Sequence, residues 1–396
     1  MGIDFVKAHR YFYKKLSMKR IFQKLAVTFL SLTVAAVSFA QTTSTEWYNK
    51  AIKLFDDGEY KEAAVAFDKA SQLDPKKEDA LYKAGWCYND LGRYENAIDR
   101  LNKTVALNKN NHLAWQELGY AYKKTSKNEL ALSCLKKAIE IKYDYALAYK
   151  QMGDVYQNMN KDDDAITAYK KCYESDDEND DACYNLGYLY NGKAEYTTAL
   201  EWLNKANKIK EGVDVFNEIG FANYKLKNNE AAISAYQSAL KINSKNGTAY
   251  KGMGDVYRLN YSPAKVEEAI ERYLKAIEYN PKSAGSHYGL GWCYNDKSRY
   301  DDAILMLAKS IELDKTFGAA YSELGYAYYM TGKYTDGLAT LKAGLVQNSK
   351  STLCRYYSGL IYVKQKDIAN ATIMHNELKP LDTKLAEKLM VKINAL

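Results

Sequence analysis

Residues 112–145 read HLAWQELGYAYKKTSKNELALSCLKKAIEIKYDY, and this stretch decides the fold. Within it, Gly119 is followed after three residues by Tyr122 and after twelve by Ala131. A glycine of the same kind recurs along the chain, in steps of 33, 34 or 37 residues, at Gly85, Gly153, Gly187, Gly220, Gly254, Gly291, Gly325 and Gly359. A fixed period of this length is typical of a repeat array, in which each unit stacks on its neighbours.

The composition agrees with a folded protein and excludes one class of partner. The chain has 396 residues, of which 47% are hydrophobic and 27% charged. Of its net charge of +7, six charges come from residues 1–40, which carry seven basic residues and one acidic residue. The remainder, 41–396, has 49 basic against 48 acidic residues and hence no basic excess to neutralise phosphates. Nucleic acid and anionic membrane surfaces are therefore not expected as partners.

The repeat resembles the tetratricopeptide repeat (TPR) family between residues 44 and 379. Counting from the start of each repeat, the family pattern has an aromatic residue at position 4, Leu-Gly at 7–8, Tyr at 11, Ala at 20 and 27, and an aromatic residue or Leu at 24. The stretch quoted above matches with Trp115, Leu118, Gly119, Tyr122, Ala131, Leu135 and Ala138. The resemblance implies two antiparallel helices per repeat, A and B, with small residues at positions 8 and 20 where they cross closely. The expected fold is an all-α, right-handed superhelical solenoid.

The periodicity divides the chain into about ten repeats and a final helix. The predicted array, 41–379, comprises repeats 44–77, 78–111, 112–145, 146–179, 180–212, 213–246, 247–283, 284–317, 318–351 and 352–379. The tail, 380–396, is predicted to form an amphipathic helix that covers the last exposed face, because the end of a solenoid needs a cap.

The sequence also has a second periodicity that is longer than the single repeat. Gly-Trp-Cys-Tyr-Asn-Asp occurs at 85–90 and again at 291–296, and repeats 3, 6 and 9 share a Glu-Leu/Ile-Gly motif. These offsets are close to three repeats. We infer that a block of three repeats was triplicated.

The N-terminal segment has the pattern of a secretory signal peptide. Lys19, Arg20 and Lys24 precede an uncharged stretch that ends in Ser-Phe-Ala at 38–40. A basic region, a short apolar region and small residues before the cut define such a leader. We predict a signal peptide over 1–40, a translation start at Met18 and an exported protein, with no span of the membrane after cleavage. An uncleaved anchor is the alternative, and the composition resembles exported proteins of Bacteroidetes-type bacteria.

The family resemblance also implies where a partner would bind. In TPR proteins helix A lines the concave face, chiefly through positions 2, 5, 9, 12 and 13. The residues predicted to line this groove are aromatic, amide-bearing or charged: Tyr82, Trp86, Asn89, Tyr120, Lys150, Asp154, Tyr184, Tyr188, Asn191, Phe221, Lys251, Asp255, Tyr288, Trp292, Asn295 and Tyr326. Such a groove is expected to bind a protein or peptide segment, because aromatic rings give contact area at low entropic cost. The alternative is that these rings only pack between helices.

One known mode of TPR binding is not expected. The family's carboxylate clamp uses Lys at position 5 and Asn at position 9. Lys150 and Lys251 fit the first position, but Asp154 and Asp255 occupy the second. Each Asp would repel a carboxylate and could pair with the lysine one turn earlier.

Other candidate sites have simpler interpretations. The six cysteines include no CxxC pair, so no metal site is predicted, although Cys172 and Cys183 could form a disulfide. The acidic run 174–181 lacks the glycine and terminal glutamate of a calcium-binding EF-hand and is expected to be a solvated turn. Three extra residues lengthen repeat 7, where Ser262 and Pro263 are predicted to begin helix B.

The sequence lacks the residue clusters and motifs that catalysis would need. Its four histidines, His9, His112, His287 and His375, are scattered, and neither a phosphate-binding loop nor a Gly-x-Ser-x-Gly motif is present. No enzyme activity and no cofactor are predicted. We expect a protein–protein interaction scaffold or assembly factor in a bacterial cell envelope. A module that binds glycans or peptidoglycan, and a structural rod that self-assembles, are the alternatives.

Overall fold

The computed structural model describes residues 43–395, and every regular element among them is an α-helix. The predicted signal peptide and Met18 lie outside the described residues. The first helix, α1, covers 43–56 of the described chain. The others are α2 (Tyr60–Leu73), α3 (Glu78–Asp90), α4 (Tyr94–Leu107), α5 (His112–Lys124), α6 (Asn128–Ile141), α7 (Ala146–Asn158), α8 (Asp162–Ser175), α9 (Asp180–Gly192), α10 (Tyr196–Ile209), α11 (Val213–Lys225), α12 (Asn229–Ile242), α13 (Gly247–Leu259), α14 (Val266–Tyr279), α15 (Ala284–Asp296), α16 (Tyr300–Leu313), α17 (Gly318–Met330), α18 (Tyr334–Gln347), α19 (Thr352–Lys364), α20 (Ile368–Leu378) and α21 (Thr383–Ile393).

The helices form two units, one ending at Asp177 and the other beginning at Glu178. Within each unit, from α2 onward, every helix packs on the next one along the chain, and each helix A from α3 onward also contacts the helix A of the following repeat. Odd-numbered helices up to α19 are helices A, and even-numbered ones are helices B. The predicted all-α TPR fold is confirmed.

The small residues of the repeat allow the two helices of a pair to approach closely. A Cβ atom at Gly119 of α5 would lie 2.7 Å from Leu135 Cγ and 3.3 Å from the carbonyl oxygen of Ala131, both in α6. Leu135 and Ala131 are themselves completely buried. A larger residue at position 8 would therefore push the helices apart, as the sequence pattern predicts.

The insertion in repeat 7 lies entirely in the turn between α13 and α14. The expectation that Pro263 begins helix B is wrong, because α14 begins at Val266 with Lys265 at its N-cap. The buried Ala269 sits three residues after this start, just as Ala131 sits three residues after Asn128 in α6. The packing of this alanine fixes where the helix begins, so the extra residues stay in the turn.

The last helix packs on the two before it. Helix α21 contacts α19 and α20 and buries Ala386, Leu389 and Ile393. Leu389 fills the space beside Gly359, where a Cβ would lie 2.9 Å from Leu389 Cδ1. Among the described helices, none combines the length and the apolar character that crossing a bilayer requires.

Candidate functional site: the helix-A cleft

A cleft of about 270 Å³ opens on the helix-A side of the first unit. It is bounded by the A helices α3, α5 and α7 and by the start of α4. None of the residues that line it is basic. The lining consists of Trp86, Asn89, Asp90, Tyr94, Gln116, Glu117, Tyr120, Leu147 and Gln151.

The aromatic rings of the cleft also pack on their neighbours. Trp86 meets the rings of Phe55 and Tyr60 edge-on, with centroids 5.1 and 5.2 Å apart. Tyr94 and Tyr120 form a second edge-on pair at 6.3 Å. Such pairs fix the rings in place. The predicted residues Trp86 and Tyr120 are thus brought to one cleft and held rigidly there.

An amide and a carboxyl group are joined at the wall of the cleft. Asn89 Nδ2 donates to the Glu117 carbonyl oxygen at 3.0 Å and to Glu117 Oε2 at 2.7 Å. Turning the amide over would place its oxygen against both acceptors, so the hydrogen bonds determine its orientation. Asn89 Oδ1 is buried without a donor, and so is Gln151 Oε1 from α7.

Burial controls the acidity of this carboxyl group. Glu117 lies among Asn89, Gln116 and the tyrosines Tyr82 and Tyr145, and burial raises its pKa. The hydrogen bonds from the two amide side chains oppose that shift without cancelling it. The folded protein therefore disfavours the ionised form of Glu117.

This shift predicts a pH-dependent effect of Glu117→Gln. Because the carboxyl pKa is higher in the folded than in the unfolded chain, its neutral form stabilises the fold, and that contribution is lost as the pH rises through the folded pKa. Glutamine keeps an acceptor for Asn89 but cannot ionise. We expect Glu117→Gln to unfold at higher urea concentration than wild type at pH 7, and the gap to close below the ordinary carboxyl range.

Urea unfolding followed by circular dichroism at both pH values measures this effect. The matched control is Glu129→Gln, since Glu129 is exposed on α6. An exposed site should give no such gap. An equal response of both variants would show that burial of Glu117 is not the cause.

The same amide–carboxyl pair recurs twice in the second unit. Asn191 Nδ2 donates to Glu218 Oε2 at 2.8 Å, and Asn295 Nδ2 donates to Glu323 Oε2 at 3.0 Å. Each also donates to the carbonyl oxygen of the same glutamate. The amides of repeats 2, 5 and 8 thus bind the glutamates of repeats 3, 6 and 9. The three glutamates were not predicted as site residues. The available signal was that they recur every third repeat, as the asparagines do.

The second unit contains a buried arginine that sequence reasoning missed. Arg258 is 9% exposed, and its guanidinium carbon lies 5.4 Å from the centroid of the Tyr288 ring and 5.2 Å from that of Trp292. Arg258 Nε donates to the hydroxyl of Tyr273 at 3.0 Å. That hydroxyl donates in turn to Asp255 Oδ1 at 2.7 Å. The predicted aromatic residues Tyr288 and Trp292 therefore hold a cation of the chain itself.

The two predicted lysine–aspartate pairs differ in the structure. Lys251 Nζ lies 2.7 Å from Asp255 Oδ2, as predicted. Lys150 Nζ lies 4.0 Å from Asp154 Oδ2, which is met at 2.7 Å by Lys123 from the preceding helix A. Each aspartate also accepts a hydrogen bond from the tyrosine at position 24 of its own repeat.

The other predicted aromatic residues lie on the A helices of the second unit and contact further rings. Tyr184 stacks with Tyr188 at 6.4 Å, and Tyr188 remains 50% exposed. Phe221 meets Tyr196 edge-on at 6.2 Å, and Tyr326 meets Tyr300 at 6.1 Å. These rings thus pack on neighbouring rings, and their role in lining a groove stays a prediction.

A larger hollow of about 530 Å³ lies beside α2 and α4. It is lined mainly by apolar atoms, including those of Pro75, Leu81 and Leu107. Its charged groups already have partners, since Arg100 Nε lies 2.6 Å from Asp68 Oδ1. The hollow is therefore not a candidate site for a polar ligand.

The cysteines are all buried. Burial raises the pKa of both the Cys87 and the Cys293 thiol to about 12, which suppresses the reactive thiolate. The pairing of Cys172 with Cys183 stays a prediction. Within 43–395, no three His, Cys, Asp or Glu side chains are arranged to hold a metal ion.

Stacked helix pairs with a cleft on their A helices are typical of helical repeat proteins that bind other proteins. Models of the tetratricopeptide repeat match more than half of the chain, at residues 54–119, 113–145, 146–179, 180–212, 213–246, 264–292 and 284–317. The chain belongs to the tetratricopeptide repeat family.

Solved structures of TPR proteins are similar to this chain. The C-terminal part of a TPR repeat-containing protein from Cytophaga hutchinsonii aligns with a TM-score of 0.53 at 18% identity, over 61% of this chain and 99% of that one. MamA is 31% identical over 41% of this chain and 94% of its own, with a TM-score of 0.39. YrrB, described as a TPR protein with an unusual peptide-binding site, is 26% identical over 47% of this chain and 95% of its own, with a TM-score of 0.38. No curated protein matches the chain.

Proposed function

We propose that this protein is a non-catalytic scaffold or assembly factor of a bacterial cell envelope that binds segments of partner proteins on its A helices. The observation that carries the proposal is the cleft of the first unit, which is lined by the aromatic rings of Trp86, Tyr94 and Tyr120 and by the amide side chains of Asn89, Gln116 and Gln151. A polypeptide segment supplies both apolar side chains and N–H donors, so it suits such a surface. The envelope location rests on the predicted leader over 1–40.

Affinity capture from an envelope extract tests the proposal. The bait is compared with a Trp86→Ala, Tyr188→Ala, Trp292→Ala variant, which removes one ring from each triplicated block. A central aromatic residue contributes about 2 kcal/mol to an interface, so each loss should weaken binding about 30-fold at its site. We expect the wild type to retain a protein that the variant loses.

A matched control separates the A helices from the rest of the surface. Val65, Leu130 and Leu305 are exposed apolar residues on the B helices α2, α6 and α16. The triple alanine variant of these residues should capture the same protein as wild type. Circular dichroism must show unchanged helicity in both variants, because Trp86 also packs on Phe55 and Tyr60. Loss of the captured protein in the control alone would place binding on the B helices and reject the proposal.

A further inference from the structure

We propose that the cleft of the first unit binds the guanidinium group of an arginine side chain on the partner segment. This inference rests on the proposed function and names the chemistry that the cleft selects. It predicts a specificity opposite to that of the family's carboxylate clamp.

The first argument is charge. Asp90 and Glu117 line the cleft, and no lysine or arginine is among its lining residues. The amide hydrogen bond that Glu117 receives from Asn89 is neutral, so it does not compensate a buried carboxylate as a cation would. Lys123 and Lys124 reach the outer ring, Tyr120, at 5.5 and 5.4 Å, and Lys123 is paired with Asp154.

The second argument is size and shape. At about 270 Å³ the cleft falls just below the range of roughly 300–1,000 Å³ that is typical of small-molecule sites. It therefore has room for one long side chain rather than a cofactor. The rings of Trp86 and Tyr120 suit a flat cation, because guanidinium groups stack on aromatic faces.

The third argument comes from the equivalent site in the second unit. Tyr288, Trp292 and Asn295 there correspond to Tyr82, Trp86 and Asn89, and Glu323 corresponds to Glu117. The two rings there already hold a guanidinium group, since Arg258 lies over both of them. Burial raises the pKa of Glu323, and the charge of Arg258 opposes that shift.

The first unit lacks this internal arginine. Position 12 of the preceding repeat is Phe55, which packs against Trp86 at 5.1 Å. The first unit thus has the aromatic, amide and carboxyl groups of the site but no arginine at the position of Arg258, and the chain's own Lys123 and Lys124 lie over the outer ring, Tyr120. An arginine from a partner would supply the missing charge.

The fourth argument distinguishes arginine from lysine. The cleft is lined by the carboxyl groups of Asp90 and Glu117 and by the rings of Trp86 and Tyr120. A guanidinium group carries five N–H donors in a plane and no acceptor, whereas an ammonium group is a compact point charge. The set of two carboxyl groups and aromatic rings therefore favours arginine.

The experiment selects ligands from a fully randomised peptide library on the full chain. We expect arginine to be enriched at one position. Replacing that arginine by citrulline, which keeps the shape but removes the charge, should weaken binding about tenfold or more, and replacement by lysine should weaken it less. Glu117→Gln should remove the arginine preference, whereas Glu323→Gln, the same change at the equivalent site, should retain it.

Each outcome decides between the two proposals. Peptides that bind the A helices without enrichment of arginine, or with arginine and lysine equally favoured, would overturn this inference and leave the proposed function standing. Enriched arginine that is unaffected by Glu117→Gln would place the arginine elsewhere and overturn it too. If no peptide is retained, both proposals fail. Because Glu117→Gln is expected to stabilise the free chain at pH 7, lost binding by this variant cannot be ascribed to unfolding.

Discussion

Gly187→Ala is expected to lower the free energy of unfolding by about 1–3 kcal/mol, whereas Gly192→Ala in the same helix should leave it unchanged or raise it by up to about 1 kcal/mol. A Cβ at Gly187 would lie 2.7 Å from Leu203 Cδ2, and closer still to Leu203 Cγ. It would also lie 3.2 Å from the backbone oxygen of Ala199, which cannot move without its helix. A Cβ at Gly192 would meet nothing within 4 Å.

Urea unfolding of the two variants followed by circular dichroism measures this contrast. Both substitutions add the same methyl group to α9, and helix propensity disfavours alanine at neither position, so propensity does not explain a loss of stability at Gly187. Only close packing against α10 separates them. Equal midpoints would mean that α10 moves away at little cost and that the glycine spacing does not determine how the helices pack.

Asp255→Asn is expected to destabilise the protein by about 3 kcal/mol, because removing one partner leaves a buried charge uncompensated. Asparagine still accepts the hydrogen bond from Tyr273 but no longer carries the charge opposite Arg258, whose terminal nitrogen lies 3.9 Å from Asp255 Oδ1. Arg258 cannot swing into water, because it is held over the rings of Tyr288 and Trp292.

Asp154→Asn is the matched variant in the first unit. The cation paired with Asp154 is Lys123, whose flexible stem can carry the ammonium group to solvent. We expect a loss below about 1 kcal/mol, as for partly exposed pairs. Thermal unfolding of both variants beside wild type measures the difference. Similar losses would show that the charge of Arg258 is compensated without Asp255.

The regular spacing made the fold predictable from sequence. Gly119, Tyr122 and Ala131 recur because each lies where helices cross or stack, so one period reports local structure and packing together. The start of helix B in repeat 7 was not predictable from Ser262 and Pro263. Burial of Ala269 against the preceding helix determines the start of helix B more strongly than the local capping signals do.

The candidate site was predictable only in part. Position alone predicted that Trp86 and Tyr120 share a surface, since both occupy position 9 of their repeats, and both line the cleft. The roles of Glu117 and Arg258 depend on contacts between neighbouring repeats, which no single repeat reveals. The asparagines were expected to serve a bound peptide, yet their amide nitrogens bind glutamates of the next repeat.

The amide–carboxyl pairs constrain how such a gene can change length. Each pair joins one repeat to the next, and the pairs return every third repeat. Deleting repeat 5 alone would remove Asn191 and set Gln157 of repeat 4 in its place before Glu218. Deleting repeats 5 to 7 together removes both members of that pair and leaves Asn295 with Glu323. Recombination in blocks of three therefore keeps every buried carboxyl group with its amide. Among single losses, only that of repeat 1, 4, 7 or 10, which hold no member of a pair, does the same, so single-repeat changes in length should be confined to these positions.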